Sequence, residues 1–387
     1  MSVWTPSPNP QAGEEPLPES HGHRQSCRMY NVVRTSELRA RGVQSRCIRD
    51  AIGCCLLALT QGMYSIVVRC SNPRHSAIAE FVTDEAWIKR VAELTDQQSG
   101  LLRFELLDMF EKLRVASYPH YGVDDVIWRV SAGFIHDFQL FRPPRGKVFI
   151  AHPTRRHSSA DVVRTSKSVP EADVVRIGKM SLTSPIRTAF DLIGQLGEPE
   201  GFAALETCLR RSVFGSDAGA DEAARFGYPP DTQALAERRI AEDFMPVLLR
   251  LSKGQSRAQR LLSAVGPLSE SYAESRFKYN LAQLRLTGFR QQTRIWDGRA
   301  FLTRVDFLHR ESRTIVLVDG FSKYADNGVR LVRKEVRQYN RLLELGYRIV
   351  RLNFNEVINL EECATKLFGQ APHLRAFIAP RQRSGVR

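Results

Sequence analysis

The last third of the chain carries the sequence feature that restricts the fold most, a run of helix and strand signals in one order. A helical pattern ends at Gly288, and two strand-like segments flank the turn at 296–299. A third strand-like segment at 314–319, a second helical pattern and an apolar strand at 347–354 follow. Strands joined by tight turns pair in antiparallel fashion. The sequence therefore predicts an α-β-β-β-α-β unit in which three consecutive strands are antiparallel.

Both predicted helices of this unit carry an apolar stripe at helical spacing. In the first helix the stripe is Phe277, Leu281 and Leu284, and Glu274 lies on the same stripe. Residues three and four apart share one face of a helix, so the Glu274 carboxylate is predicted to face the interior. The second helix carries Val332, Val336, Tyr339 and Leu343.

Three acidic residues are expected to meet at one edge of the predicted sheet. Asp306 lies near the end of the second strand, Asp319 ends the third, and Glu274 arrives from the helix. Such a cluster can hold a hard divalent cation, which activates water and neutralises charge during phosphodiester hydrolysis. We therefore treat all three as candidate metal ligands for Mg²⁺ or Mn²⁺ and as candidate catalytic residues. The alternative interpretation is that the two aspartates cap turns.

Positive charge is concentrated in the same region. The chain has 56 Lys+Arg and 42 Asp+Glu, a net charge of +14, and residues 271–387 alone hold 22 basic against 11 acidic residues. A basic groove binds phosphate backbones, although an anionic membrane or an acidic protein attracts the same charge, and the alternative is a solvated helix face. The candidate DNA-binding residues on the second helix are Arg330, Arg333, Lys334, Arg337 and Arg341.

The N-terminal part predicts a helix-turn-helix followed by a β-wing. Thr35 is the expected cap of a short helix that ends at Gly42, and Ser45 is the expected cap of a second helix, which we predict at 46–59. The segment at 62–68 is typical of a strand. In this motif the start of the second helix faces DNA, which makes Arg46 and Arg49 candidate DNA-binding residues. The alternative is that they are ordinary surface arginines.

The middle of the chain mixes helix and strand signals and predicts an α+β domain. Ser184 before Pro185 is the expected start of a helix, on whose surface Arg187 and Asp191 can form an ion pair. The segment 215–235 is rich in Gly, Ala, Asp and Pro and is interpreted as a loop or linker.

The seven cysteines form no CxxC pair, and we interpret them as reduced, mostly buried thiols of a cytoplasmic protein. His152 and His157 lack metal-ligand spacing, so no zinc site is predicted. The uncharged stretch 51–68 is broken by glycine and polar residues, so we expect no membrane insertion. Residues 1–26 show no signal peptide and are interpreted as a disordered leader.

Several of these motifs together resemble a known domain. They are SESYAES with Glu274, RVDFL with Asp306, VDG with Asp319, RKEVRQYN and the ending LELGYRIVRLNFNEV. Over about 95 residues, from roughly 265 to 360, they are similar to the nuclease-like domain related to very-short-patch repair endonucleases, in the PD-(D/E)XK restriction-endonuclease-like superfamily. The resemblance implies an α/β restriction-endonuclease-like core that binds DNA.

Upstream, LTSPIRTAFDLI and the helix-turn-helix that ends in GMYSI resemble the AbiEi-type antitoxin family of type IV toxin–antitoxin and abortive-infection systems. The two resemblances imply an α+β multidomain protein. Its expected domains are a winged helix-turn-helix at 27–74, an antitoxin-like α+β middle domain at 75–245 and a restriction-endonuclease-like domain at 246–387. The expected partners are DNA and a cognate toxin protein.

The chain also departs from the nuclease-like family. Leu317 stands where that family has a metal-binding glutamate, and Tyr324 aligns with its histidine; Lys323 is a candidate for a displaced cationic group. Loss of a ligand weakens the hold on a divalent cation. We therefore expect a DNA-binding protein in transcriptional control, toxin–antitoxin or phage-defence biology, with a degenerate nuclease-like domain. The alternatives are an active Mg²⁺-dependent endonuclease and a module that binds an acidic toxin.

Overall fold

A computed structural model describes residues 29–96, 100–319 and 329–380. This part of the chain is a mixed α+β structure with three separate sheets of three, six and four strands. The predicted leader lies outside the described residues. No described helix is both long enough and apolar enough to cross a membrane.

The N-terminal sheet has the strand order β1-β3-β2 and packs on two short helices. Its elements are β1 (Val32–Arg34), α1 (Thr35–Ala40), α2 (Ser45–Ala51), β2 (Leu56–Thr60), β3 (Met63–Ile66) and α3 (Ser76–Ala79). Leu38, Ile48 and Ile66 are buried at the centre of this unit. The predicted arrangement of two helices followed by a hairpin is thus present.

Three details of this unit differ from prediction. Helix α2 ends at Ala51 and not at residue 59, because Gly53 turns the backbone at φ 83° and the following leucines enter strand β2. Ser45 is the first residue of α2 and not its cap. Thr35 is likewise the first residue of α1, where the Glu37 carboxylate accepts the backbone N–H of Arg34 at 2.7 Å.

The β2–β3 hairpin packs against two long helices, α4 (Glu85–Asp96) and α5 (Gly100–Ser117). Leu59 and Met63 share a buried cluster with Trp87. At the hairpin turn, the backbone N–H of Gln61 donates to the Asp161 carboxylate at 2.7 Å. The predicted wing is therefore docked on the rest of the protein.

The middle segment holds a six-stranded sheet of order β6-β7-β5-β4-β9-β8. Its elements are β4 (Val126–Ile127), α6 (Arg129–Ile135), β5 (Val148–His152), β6 (His157–Ser158), β7 (Val162–Ser166), β8 (Val174–Ile177), β9 (Met180–Thr183), α7 (Pro185–Gln195), α8 (Glu198–Phe214), α9 (Asp217–Phe226), α10 (Thr232–Arg239), α11 (Met245–Leu249) and α12 (Gln255–Leu262). A π-helical turn, Ile240–Phe244, joins α10 to α11. Leu251, Leu261 and Leu262 pack into the same cluster as Phe202, so the chain beyond residue 245 still belongs to this core.

The structure confirms one local prediction here and corrects two. The Ser184 hydroxyl accepts the Arg187 backbone N–H at 3.3 Å, as expected for a helix cap. The Arg187–Asp191 ion pair forms at 3.1 Å, but it is buried and not on the surface, because Arg187 also turns inward to Asp173 at 2.7 Å. The predicted loop at 215–235 is largely helical, since Ser216 caps α9 and alanines favour helix.

The C-terminal unit has the predicted α-β-β-β-α-β order. Its elements are α13 (Tyr272–Leu284), β10 (Phe289–Asp297), β11 (Ala300–His309), β12 (Thr314–Asp319), α14 (Val329–Glu344), β13 (Arg348–Asn353), α15 (Phe354–Ile358) and α16 (Leu360–Gln370). The sheet order is β10-β11-β12-β13, antiparallel except for the last pair. Phe277 of α13 packs with Phe307 on one face of the sheet, and Leu342 of α14 packs on the other.

Helices α13 and α14 differ in detail from prediction. Helix α13 ends at Leu284 and not at Gly288, because Arg285 adopts a left-handed conformation with φ 56°. Among the α14 side chains that the structure describes, Leu342 is buried, while Val336, Tyr339 and Leu343 of the predicted stripe are 53%, 38% and 45% exposed. The Val332 side chain lies outside the described residues. The apolar stripe of α14 is thus mostly on the surface.

Candidate functional site

Glu274 is held inside the protein near the start of α13 by three hydrogen-bond donors. The Glu270 backbone N–H and the Gln292 side-chain amide donate to its carboxylate at 3.1 and 2.8 Å, and the Ser271 hydroxyl donates at 3.2 Å. Burial raises the pKa of Glu274 to about 8, and the negative charge of Asp306 adds to the increase. The predicted inward orientation is confirmed.

Asp306 occupies the point where strands β11 and β12 separate. In the ladder between these strands, His309 pairs with Thr314 at one end and Phe307 pairs with Val316 at the other. Asp306 lies one residue beyond the last pair. Its carboxylate accepts the Val318 backbone N–H at 2.8 Å. Its negative charge contributes to the raised pKa of Glu274.

Asp319 is engaged by a cation of the protein itself. Its carboxylate accepts from the Arg351 guanidinium at 2.9 Å, and the Asp319 side chain is 6% exposed. Arg351 on β13 is the register partner of Leu317 on β12. A cavity of about 400 Å³ is lined by Asp306, Leu317, Tyr339 and Arg351, with α14 on its far side.

These residues do not fit a Mg²⁺ or Mn²⁺ centre built on all three acids. Among the described residues, the one group of three or more Cys, His, Asp or Glu ligand atoms within 4.8 Å of one another lies elsewhere. Leu317 offers no oxygen, and Asp319 is paired with Arg351. Hard divalent cations need several converging oxygens, which these residues do not supply. Among the described residues at this edge of the sheet, the Arg351 guanidinium places positive charge beside Asp319.

The basic residues predicted on α14 are only partly described. Lys323 lies outside the described residues, as do the side chains of Arg330, Arg333 and Lys334. Arg337 is exposed. Arg341 is bound to both oxygens of Asp297 at 2.6 and 2.8 Å and to Glu344 at 2.7 Å, and these bonds raise the pKa of its guanidinium. Arg341 is therefore committed to ion pairs within the protein.

Arg46 and Arg49 lie on the exposed side of α2, opposite the buried residues Ile48 and Ala51. Neither arginine forms an ion pair within the described part of the chain, although Asp50 lies next to Arg49. Both side chains are exposed. That they contact DNA stays a prediction.

The structure also gathers a group that sequence analysis missed, namely Cys54, Cys55, Cys70 and His75. Cys54 is exposed, contrary to the expectation of mostly buried thiols, and the described cysteines are all free. The Asn72 backbone N–H and the His75 ring lower the pKa of Cys70 to about 7, whereas burial raises that of Cys55 to about 12. The sequence signal that could have identified this group was the adjacent pair Cys54 and Cys55, followed by Cys70 and His75 at close spacing.

No family model, no curated protein and no solved structure matches this chain. The resemblances to the nuclease-like and antitoxin families therefore stay predictions. Contacts of the described residues support the functional proposal that follows.

Proposed function

We propose that this chain is a DNA-binding protein in which α2 contacts DNA and the C-terminal sheet is a degenerate nuclease-like platform that does not cut. The observation that carries the proposal is that Arg46 and Arg49 are exposed on the second of two short helices and form no ion pair with any residue that the structure describes. Arginines in this position reach phosphates and base edges in the major groove. The role in transcriptional control, toxin–antitoxin or phage-defence biology is part of the same proposal.

Charge supports binding to a polyanion. The N-terminal unit from residue 29 to 80 has seven arginines and three acids, and the C-terminal third adds its excess of basic residues. Arginines that replace counterions on phosphates make affinity depend steeply on salt. DNA binding by this chain is therefore expected to weaken as the salt concentration rises.

The C-terminal site supports binding without cleavage. Leu317 and Arg351 lie side by side on β12 and β13, where a metal-dependent nuclease needs a carboxylate and a cation. The Arg351–Asp319 pair neutralises an acid that would otherwise bind the metal. The proposal therefore assigns no metal-dependent step to this chain.

Binding of the full-length chain to duplex DNA tests the first part of the proposal. We expect affinity to fall roughly tenfold or more between about 50 and 200 mM salt. Arg46→Ala and Arg49→Ala are each expected to weaken binding and to reduce the log–log salt slope by about one. Arg238→Ala, which removes an exposed arginine from α10, is the matched control and should bind like wild type. Binding that is independent of salt and of both α2 arginines would refute the proposal.

Incubation of the same samples with plasmid and single-stranded DNA in Mg²⁺ and Mn²⁺ tests the second part. We expect no cleavage by the wild-type chain. Cleavage that disappears in Asp306→Asn would identify an active endonuclease and overturn this part. Leu317→Glu restores the carboxylate, so activity that appears only in this variant would show that the lost ligand silenced the site.

A further inference from the structure

A cluster of soft metal ligands lies in the N-terminal unit, far in sequence from the acidic site. The Cys70 sulfur is 3.4 Å from the Cys54 sulfur and 3.3 Å from His75 Nδ1, and the Cys55 sulfur is 3.7 Å from the same nitrogen. All four ligand atoms lie within 4.8 Å of one another. The proposed DNA contacts do not use any of these four side chains.

The local fold brings these residues together from three segments. Cys54 and Cys55 form the turn between α2 and β2, and their backbone N–H groups both donate to the Ala51 carbonyl, at 3.1 and 3.0 Å. Cys70 follows β3, and His75 ends the 3₁₀ turn Pro73–His75.

The loop from Cys70 to His75 is ordered by Asn72. Its side chain accepts the Arg74 backbone N–H at 3.0 Å, and its carbonyl accepts the His75 backbone N–H at 2.9 Å. The Asn72 backbone N–H points at the Cys70 sulfur at 3.4 Å. Hydrogen bonds of this kind orient thiolate ligands in metal sites.

The spacing of the ligand atoms matches a tetrahedral zinc site. Bonds of about 2.3 Å to sulfur and about 2.0 Å to nitrogen place tetrahedral ligand atoms roughly 3.5–3.8 Å apart. Three of the six separations, at 3.3, 3.4 and 3.7 Å, lie within a few tenths of an ångström of this range, and the other three are no longer than 4.8 Å. A disulfide would need the two sulfurs to be about 2.05 Å apart, much closer than Cys54 and Cys70 are.

We propose that Cys54, Cys55, Cys70 and His75 bind one Zn²⁺ as a structural Cys₃His site. Three thiolates and one imidazole are soft and borderline ligands that favour zinc over magnesium, calcium or manganese. Four protein ligands complete a tetrahedral shell, so no position is left for a substrate. Cys55 and His75 are 1% and 2% exposed, and the ion would cross-link the end of α2 to the loop before α3.

The metal content of the full-length chain, purified under reducing conditions without chelators, tests this inference. We expect about one zinc per chain by elemental mass spectrometry, and Co²⁺ in its place should give the intense visible absorption of a tetrahedral thiolate complex. Cys54→Ser and Cys70→Ser should lose most of the zinc. Cys47→Ser is the matched control, because Cys47 lies in the same unit but its thiol contacts the Arg74 carbonyl at 2.9 Å, and it should retain the metal.

Two results would overturn the inference. They are a zinc-free wild-type chain that takes up neither Zn²⁺ nor Co²⁺, and equal zinc in Cys47→Ser and Cys70→Ser. If Cys70→Ser does not fold, the zinc content of Cys54→Ser, which changes an exposed residue, and of the wild-type chain after chelation tests the inference instead. Metal content is independent of DNA binding, so this result and that of the proposed function are distinguishable.

Discussion

Glu274 illustrates how burial changes the chemistry of a single residue. Its carboxylate is buried and lies near the negative charge of Asp306, and burial and this charge together raise its pKa to about 8. Desolvation disfavours the charged form of an acid, and a neighbouring acid does the same. The protonated form is therefore the stable one in the native state below that pH.

The pH dependence of stability should report this proton. An unfolded glutamate ionises near 4.5, so between about pH 4.5 and 8 the native chain binds more protons than the unfolded chain. Stability should therefore fall as the pH rises through this window, and Glu274→Gln should remove the effect. Urea denaturation measures the free energy of unfolding of the variant and of wild type at pH 5 and at pH 8.5. We expect the value for the variant, relative to that for wild type, to be higher at pH 8.5 than at pH 5.

Glu361→Gln is the control, because Glu361 is exposed in the first turn of α16 in the same unit. It should leave the pH profile of wild type unchanged. A Glu274→Gln profile parallel to that of wild type would contradict the raised pKa.

At the scale of an element, α7 combines local and tertiary signals. Ser184 caps its first turn and Pro185 supplies a preset φ at its first position. The helix then buries Phe190, Leu192 and Ile193 in the middle core. Beside them, Arg187 links Asp191 on the same helix to Asp173, which also binds Arg250 at 2.6 Å.

Removing the Ser184 cap measures how much the local signal contributes to the stability of α7. Ser184→Ala is expected to destabilise the chain by about 1 kcal/mol, since the N–H of Arg187 loses its acceptor. Ser184→Gly should reduce the free energy of unfolding by only about a few tenths of a kcal/mol. The midpoints of urea unfolding compare the two variants. An unfolding midpoint of Ser184→Ala equal to that of wild type would show that the hydroxyl does not act as a cap.

At the scale of the whole molecule, helix α8 joins the middle segment to the C-terminal sheet. Glu206 on α8 binds Lys278 on α13 at 2.8 Å and accepts the Ser269 hydroxyl at 2.5 Å, with a side chain that is 1% exposed. Glu200 accepts the Tyr272 hydroxyl at 2.5 Å. Buried charges that lose one partner are strongly destabilising, so this interface couples the two units.

Calorimetry of the full-length chain tests this coupling. We expect the middle and C-terminal units to unfold in one transition, and Glu206→Ala to separate it into two, because Lys278 and the Gly266 backbone N–H lose their acceptor. Glu237→Ala is the control, since Glu237 is exposed on α10 and its carboxylate accepts from Gln233 of the same helix at 3.0 Å. Two separate transitions in the wild-type chain would contradict the coupling.

Local patterns predicted most of the elements. Alternation and turn residues identified the C-terminal strands, and apolar spacing placed Glu274 inside, because these signals depend on near neighbours in the chain. The same reasoning failed where partners from elsewhere decide the outcome. Residues 56–59 leave the predicted helix for a strand that pairs with β3. The loop prediction at 215–235 failed for a local reason, because the Ser216 cap and the alanines favour helix over the glycine and proline signals.

The candidate sites depend on contacts that no local pattern carries. Arg351 reaches Asp319 only because β13 lies parallel to β12, and Arg341 reaches Asp297 only because α14 packs across the sheet. Cys54 and Cys55 meet Cys70 and His75 only after the hairpin closes. Periodicity fixes which face a side chain occupies, whereas which distant side chains share a space follows from how the elements pack, and the chemistry of both sites depends on that packing.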